Sequence, residues 1–350
     1  MEKSSRIKEL DALRGIAALM IVLFHFTMYR VEADLGFKLG TTGVDLFFMI
    51  SGFVIFMSLS NIKNSISFVI NRVSRLYPTY WASISITFLF IFIQSLIINE
   101  AFGAYNIKQY FGNMTMFQFY LKIPDIDGPY WTMIIEMLFY LGMLFLFHFK
   151  LLKHINIIGV SLTILIVLMA NFGFHIPLIK TIIYWIPLFQ FIPLFFAGII
   201  FYKIYTDKSK QLSKYSIVVL CLISQILLFK FSGLSKEFIN HTEYAAMLII
   251  FFGLFTLFVN NKLNLIASKG TLFLGKISFA LYLIHQYLSI GIIIPYLTIN
   301  LSLNFWIAAL VTMPIVIGLA ALITFYIEIP MSRLMKRKLN EKFNNNSRNK

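Results

Sequence analysis

Two residues near the N-terminus have the types and spacing for acid–base chemistry. Arg14 and His25 lie eleven residues apart in ELDALRGIAALMIVLFHF. Eleven residues make about three helical turns, so both side chains project from one helix face, about 16 Å apart along the axis. Histidine titrates near neutral pH, so His25 could act as a general base or be acylated as a nucleophile. The plainer interpretation is an arginine that snorkels to headgroups and an inert packed histidine.

Three further ionisable residues lie in apolar stretches, where each needs a partner or a purpose. They are Asp45, Glu136 and His285. A carboxylate that accepts the proton of one imidazole nitrogen leaves the other nitrogen as a base. We expect Asp45 or Glu136 to orient His25 in this way, at a similar depth. A proton-relay transporter would use the same residue types, so the residues alone leave enzyme and transporter open.

A basic and aromatic segment, FVINRVSRLYPTYW, follows the second apolar stretch. Arg72 and Arg75 are three residues apart and would share a helix face. Two guanidinium groups can bind phosphates bidentately, while Tyr77 or Tyr80 could stack on a base. The alternative is an ordinary internal loop that binds anionic lipid.

The composition requires membrane-spanning helices to position these groups. Of the 350 residues, 59% are hydrophobic and 13% are charged, and the mean hydropathy is +0.80. A water-soluble domain carries about a quarter charged residues. The sequence therefore predicts an all-α polytopic membrane protein of about ten helices, near residues 12–29, 42–60, 80–98, 131–148, 155–172, 184–202, 215–230, 244–260, 277–296 and 305–327.

The net charge is +15. Because Lys and Arg collect in the cytoplasmic connections of membrane proteins, this charge indicates the orientation of the chain and not binding to nucleic acid. Most Lys and Arg residues fall in connections that become internal when both termini are cytoplasmic, so we predict that orientation. Residues 1–335 are expected to form the membrane domain and 336–350 a basic, disordered tail. The outer stretch 99–130 is expected to form a lid or a re-entrant cap. The histidines show no metal-ligand spacing, so no metal is predicted.

Seven segments, in order, resemble the signatures of the acyltransferase family 3 membrane proteins. The first three are the Arg14–His25 segment, GTTGVDLFFMISGFVI and NRVSRLYPTYW. GPYWTMIIEMLFYL, FIPLFFAGI, GKISFALYLIH and YIEIP follow. The matches extend from residue 9 to about 335. The resemblance is to the membrane part of the family, without the C-terminal esterase-like domain that many members carry.

The resemblance implies an enzyme that transfers an acyl group, most often acetyl, from cytoplasmic acetyl-CoA or another acyl-CoA to a carbohydrate hydroxyl. The expected acceptor is a cell-envelope glycan such as O-antigen or exopolysaccharide, and the expected location is a bacterial plasma membrane. The alternative is a proton-coupled transporter or a flippase for a lipid-linked sugar. A scaffold protein would leave the Arg14–His25 face unexplained. The predicted catalytic residues are His25, Arg14, Asp45 and Glu136, the donor-binding residues Arg72, Arg75, Tyr77 and Tyr80, and the pocket residues Trp131, Ser51 and His285.

Overall fold

The computed structural model describes residues 7–62, 64–97, 103–173, 175–231, 233 and 235–348. Within these ranges the chain forms helices and connections and no strand. The α-helices are α1 (Lys8–Thr27), α2 (Gly43–Ser60), α3 (Ser65–Ile97), α4 (Ala104–Asn113), α5 (Trp131–His148), α6 (Ile155–Phe172), α7 (Pro177–Trp185), α8 (Ile192–Thr206), α9 (Gln211–Leu227), α10 (Ser235–Phe238), α11 (His241–Val259), α12 (Lys269–Gln286), α13 (Phe305–Leu322) and α14 (Ile329–Arg348).

Nine helical segments in the described ranges are long and apolar enough to cross a bilayer. They are Lys8–Thr27, Phe37–Ser60, Ser65–Ile97, Gly128–His148, Leu151–Phe172, Pro187–Thr206, His241–Val259, Lys269–Asn300 and Phe305–Phe343. The protein is therefore an all-α polytopic membrane protein, as predicted. The seventh predicted span, 215–230, corresponds to α9, an apolar helix of 17 residues. It falls just short of the roughly 20 residues that a straight crossing needs.

The chain divides into two compact units. Unit 1 consists of residues 1–62 and 135–275. Helices α2 and α8 pack closely in this unit, and two glycines make this approach possible. A Cβ atom on Gly52 would lie 2.0 Å from the Phe195 carbonyl oxygen, and one on Gly198 would lie 2.0 Å from that of Met49. Small residues at helix crossings are typical of membrane bundles.

A short 3-10 helix, Phe37–Thr42, determines where α2 begins in unit 1. It runs back along α1, and a Cβ on Gly40 would meet the carbonyl oxygen of Met20 at 2.2 Å. Gly43, the first residue of α2, would likewise meet Ala17 and Ile21. The start of α2 is therefore displaced by at least one turn from the end of α1, where His25 lies.

Unit 2 consists of residues 63–134 and 276–350 and contains α3. This helix has 33 residues and is about 50 Å long. It begins at Ser65, so the segment predicted to be a loop before a span at 80–98 is helical. The predicted outer stretch returns along α3: the Tyr110 hydroxyl bonds to that of Ser85, and the Trp81 indole donates to the carbonyl of Met114. Residues 98–102 lie outside the described ranges, and whether this stretch is a lid or a re-entrant cap stays a prediction.

The C-terminal helix α14 differs from the predicted disordered tail. It continues to Arg348 and packs against α3 within unit 2. Lys, Arg, Leu and Met are good helix formers, and Arg337 pairs with Glu341 one turn later, at 4.0 Å. The segment before it, Ile323–Glu328, is a π-helix, and so is Tyr287–Ile293 after α12.

Candidate functional site

His25 lies two residues before the end of α1 and is partly buried in unit 1. Its Nδ1 lies 3.0 Å from the backbone carbonyl oxygen of Ile21, one turn earlier. A carbonyl can only accept, so Nδ1 must carry the proton. In the neutral ring the basic lone pair is then on Nε2. The helix itself thus fixes the tautomer that a general base requires.

Arg14 is on the same uninterrupted helix, three turns before His25, as the spacing predicted. It is also partly buried. The adjacent Gly15 lies against the first turns of α12, where a Cβ would be 2.5 Å from the Thr271 carbonyl oxygen. This close packing holds the Arg14 end of α1 in place.

Asp45 is buried in the first turn of α2, and its partner is a tyrosine. The Tyr244 hydroxyl on α11 donates to Asp45 Oδ1 at 2.9 Å. The same hydroxyl accepts from Gln225 Nε2 at 3.1 Å, which also donates to the Gln190 carbonyl oxygen. Asp45 is thus part of a buried network that joins α2, α9 and α11.

Neither carboxylate is the acceptor described for His25 Nδ1–H, so the orientation of His25 by Asp45 or Glu136 stays a prediction. The acceptor for His25 Nδ1–H is the Ile21 carbonyl, and the described hydrogen bonds of Asp45 go to Tyr244. The reason is the 3-10 helix before α2, which moves the start of that helix away from the end of α1. The two residues consequently do not share the predicted depth.

Ser51 and Glu136 are brought together, although 85 residues separate them in sequence. Ser51 Oγ on α2 donates to Glu136 Oε1 at 3.2 Å, and the Tyr140 hydroxyl donates to the same oxygen from one turn later on α5. This pair of donors stabilises the carboxylate inside the helix bundle. The catalytic role of Glu136 and the pocket role of Ser51 stay predictions.

Arg72, Arg75 and Tyr77 lie in unit 2 on α3. Both arginines are partly buried and three residues apart, so they project from neighbouring positions on the helix. The Arg72 guanidinium lies 5.9 Å from the centre of the Phe68 ring. The Tyr77 hydroxyl donates to the carbonyl of Thr115 at 3.2 Å. Donor binding by these three residues stays a prediction.

Tyr80 does not fit its predicted role of stacking on a base at the mouth of the protein. Its side chain is fully buried, and its ring centre lies 5.2 Å from that of Tyr130. The reason is that α3 starts fifteen residues before Tyr80, so this residue lies well inside the helix rather than at its end. Tyr80 faces the returning connection within unit 2.

Trp131 and His285, both predicted pocket residues, also belong to unit 2. Trp131 begins α5 and is partly buried. His285 is fully buried near the end of α12, and its Nδ1 lies 2.9 Å from the Tyr282 carbonyl oxygen. The next turn is the π-helix that starts at Tyr287. Such π-helical turns are frequent at functional sites.

Asp127 is a buried carboxylate that was not predicted as a site residue from the sequence. Its carboxylate accepts from the backbone N–H groups of Gly128, at 2.7 Å, and Tyr287, at 3.1 Å. It thereby compensates for the change from α-helix to π-helix after α12. Burial raises the pKa of Asp127 to about 7, against the lowering effect of these two hydrogen bonds. Its position in a polar connection between apolar stretches, IPDIDGPYW, was the available signal.

Tyr244 and Gln225 were also not predicted from the sequence, because only charged residues and histidines within the spans were considered as candidates. A glutamine and a tyrosine in apolar helices already indicate buried hydrogen bonds. Among the described residues, no cluster of three or more His, Cys, Asp or Glu side chains could hold a metal ion.

These features define a polytopic membrane protein with a partly buried histidine whose tautomer is fixed on its first helix. A family model described as an acyltransferase domain matches residues 7–325. The chain belongs to this acyltransferase family. It is also 23% identical, over 288 residues, to a protein of Acidianus two-tailed virus named "Putative acetyltransferase ORF330". The match covers 78% of this chain and 80% of the viral protein. No solved structure matches the chain.

Proposed function

We propose that this acyltransferase moves an acyl group, most simply acetyl, from acyl-CoA to a hydroxyl of a cell-envelope carbohydrate. The observation that carries the proposal is the hydrogen bond from His25 Nδ1 to the Ile21 carbonyl oxygen. It leaves Nε2 as the basic nitrogen of a partly buried ring, in a chain that belongs to an acyltransferase family.

In the proposed reaction, Nε2 accepts the proton of the acceptor hydroxyl as that oxygen attacks the thioester carbonyl. The carbon–sulfur bond then breaks, and the imidazolium returns its proton to the departing CoA thiolate. The Ile21 carbonyl accepts Nδ1–H in both ring states, so it stabilises the imidazolium without moving. The second route is transient acylation of His25 itself, which an acyl-histidine trapped in the absence of acceptor would reveal.

For the donor, we propose that Arg72 and Arg75 bind phosphate groups of CoA. Their three-residue spacing on α3 suits two neighbouring phosphates, and guanidinium groups form the strongest hydrogen bonds to such anions. We further propose that the protein spans a bacterial plasma membrane with both termini in the cytoplasm, where acyl-CoA is made. The distribution of Lys and Arg along the sequence supports this orientation.

Release of CoA thiol from acetyl-CoA tests the proposal, with purified protein and de-esterified envelope glycans as acceptors. His25→Gln keeps a polar side chain of similar size but no titratable nitrogen. It should lower acceptor-dependent release by about 10²–10⁴-fold. His154→Gln is the matched control, because His154 is exposed in a short 3-10 helix. Unchanged release by His25→Gln would reject the assigned base. If the wild-type protein moved a glycan across the vesicle membrane without releasing CoA, the result would favour the alternative function, a flippase.

A further inference from the structure

Helix α14 carries an exposed basic face, formed by Arg333, Lys336 and Arg337. These residues recur at intervals of three and four, so they project from one side of the helix. All three side chains are exposed. The helix packs against α3 in unit 2, and its half-buried residues lie on another side: Ser332, Met335 and Leu339. The basic face is therefore accessible from outside the protein.

Few carboxylates compensate the positive charge of α14. Between residues 331 and 343, five Lys and Arg residues stand against a single acidic residue, Glu341. The Glu341 carboxylate lies 4.0 Å from Arg337, and both side chains are more than half exposed, so this pair contributes little. In the described part of the chain, no ion pair joins Arg333 or Lys336 to a carboxylate. The basic face thus presents its positive charge to the surroundings.

The basic face follows directly after the last membrane-spanning stretch. The apolar run of that stretch ends at Ile327, and the chain stays helical from Phe305 to Arg348. At the helical rise per residue, Arg333 lies at most about 9 Å and Arg337 at most about 15 Å beyond that end. A headgroup layer is about 5–8 Å thick, and a charge acts over about a further 8 Å in physiological salt. The basic face is therefore within reach of lipid headgroups.

Exposed apolar side chains accompany these cations. Four of them, on α14 and on the first turns of α3, are at least 40% exposed: Met331, Leu334, Ile66 and Val69. Helices that lie against a membrane surface combine the same two features, because their apolar side chains enter the boundary of the acyl chains while Lys and Arg bind headgroups. The apolar and the basic side chains thus indicate the same surroundings for this end of unit 2.

From this arrangement we propose that Arg333, Lys336 and Arg337 bind the phosphate groups of anionic lipids. Guanidinium groups bind phosphate oxygens bidentately, and a lysine adds a compact positive charge. Each Lys or Arg close to an anionic membrane surface strengthens binding about fivefold. Two such residues therefore account for about 30-fold and all three for about 100-fold. The proposal is independent of the proposed acyl transfer.

The test measures binding of phosphatidylglycerol, which is anionic, and phosphatidylcholine, which is zwitterionic, to the purified full chain in a non-ionic detergent. Native mass spectrometry gives the Kd for each lipid. The wild type should bind phosphatidylglycerol more tightly than phosphatidylcholine. The double variant Arg333→Gln/Arg337→Gln should raise the Kd for phosphatidylglycerol about 30-fold and leave that for phosphatidylcholine unchanged.

Two control variants separate the basic face from the net charge and from folding. Lys338→Gln/Lys342→Gln also removes two exposed cations four residues apart, but on the opposite side of α14, and should change the Kd for phosphatidylglycerol less than about threefold. Arg333→Lys/Arg337→Lys keeps both charges and should bind within about threefold of wild type. All three variants should keep the Tm of the lipid-free protein, because the altered side chains are exposed.

Three results would overturn the proposal. The first is a Kd for phosphatidylglycerol that is the same in Arg333→Gln/Arg337→Gln and wild type. The second is an equal loss in Lys338→Gln/Lys342→Gln, which would make binding a matter of the net charge of α14. The third is a loss of acetyl-CoA binding in lipid-free Arg333→Gln/Arg337→Gln with unchanged binding of phosphatidylglycerol, which would assign these cations to the phosphates of the donor.

Discussion

The hydrogen bond between Tyr244 and Asp45 gives a direct test of whether Asp45 is structural. Both side chains are buried, and the Tyr244 hydroxyl donates to Asp45 Oδ1 at 2.9 Å while it accepts from Gln225 Nε2 at 3.1 Å. Tyr244→Phe removes one oxygen and retains the ring that packs against Phe229. The carboxylate and the amide then each lose a partner inside the protein.

The expected change in the free energy of unfolding follows from these two lost hydrogen bonds. A buried polar group that is left without its hydrogen-bond partner costs about 1–3 kcal/mol. The amide loses only one of its two acceptors, since it still donates to the Gln190 carbonyl oxygen. We therefore expect Tyr244→Phe to lower the free energy of unfolding by about 2–4 kcal/mol. Asp45→Asn retains an oxygen that accepts from Tyr244, so we expect a loss of about 1 kcal/mol and acyl transfer within several-fold of wild type.

The assay is denaturant-induced unfolding of the purified protein in detergent micelles, with acyl transfer measured on the same samples. Tyr296→Phe is the matched control, because Tyr296 is 55% exposed, and it should change the free energy of unfolding by less than about 0.5 kcal/mol. If Tyr244→Phe is as stable as this control, the network does not hold the helices together. If Asp45→Asn folds normally but loses transfer as completely as His25→Gln, Asp45 is catalytic and the structural interpretation is refuted.

Three further predictions concern packing and pH. Gly198→Ala should lower the free energy of unfolding by about 1–3 kcal/mol, because the new Cβ would lie 2.0 Å from the Met49 carbonyl oxygen. Gly318→Ala, which has open space around its Cβ, should raise the free energy of unfolding by up to about 1 kcal/mol. Thermal unfolding measures both. Hydrogen bonds from Lys214 and Ser209 hold the pKa of Asp207 below its ordinary value. The stabilising effect of the Asp207 carboxylate is therefore complete at pH values above its ordinary pKa and is lost as the pH falls through its lowered pKa. Lys214→Met should make the Tm fall less steeply as the pH is lowered. Burial raises the pKa of Asp127 to about 7, so stability should fall as the pH rises from about 4 to 7, and Asp127→Asn should abolish this slope. An unchanged Tm for Gly198→Ala, or unchanged pH profiles in the two charge variants, would contradict the respective prediction.

The sequence was sufficient for features that depend on local periodicity. The spans follow from runs of apolar residues, and the helical face shared by Arg14 and His25 follows from their eleven-residue spacing. The helix that carries Arg72 and Arg75 was predicted only in part, since its predicted span began at residue 80 and the helix begins at Ser65. Its first turns contain polar residues, so hydropathy marked only the apolar part as a span.

The partners of the buried groups were not predictable in this way. Asp45 and Tyr244 are 199 residues apart, and Ser51 and Glu136 are 85 apart. Such pairs depend on which helices pack together and at what depth. The displacement of α2 by the 3-10 helix Phe37–Thr42 is a matter of connection geometry that no periodicity records. This displacement moves Asp45 away from the end of α1, where His25 lies.

The proposed transfer of the proton by His25 is tested most directly by following the acyl group itself. Purified protein in liposomes is given acetyl-CoA labelled with ¹³C in the acetyl group, together with de-esterified envelope glycans, and ester-linked label on the glycan is measured by mass spectrometry. We expect labelled glycan with the wild type and His154→Gln, and at least about 100-fold less with His25→Gln at equal amounts of folded protein. Equal labelling by His25→Gln would contradict proton transfer by His25.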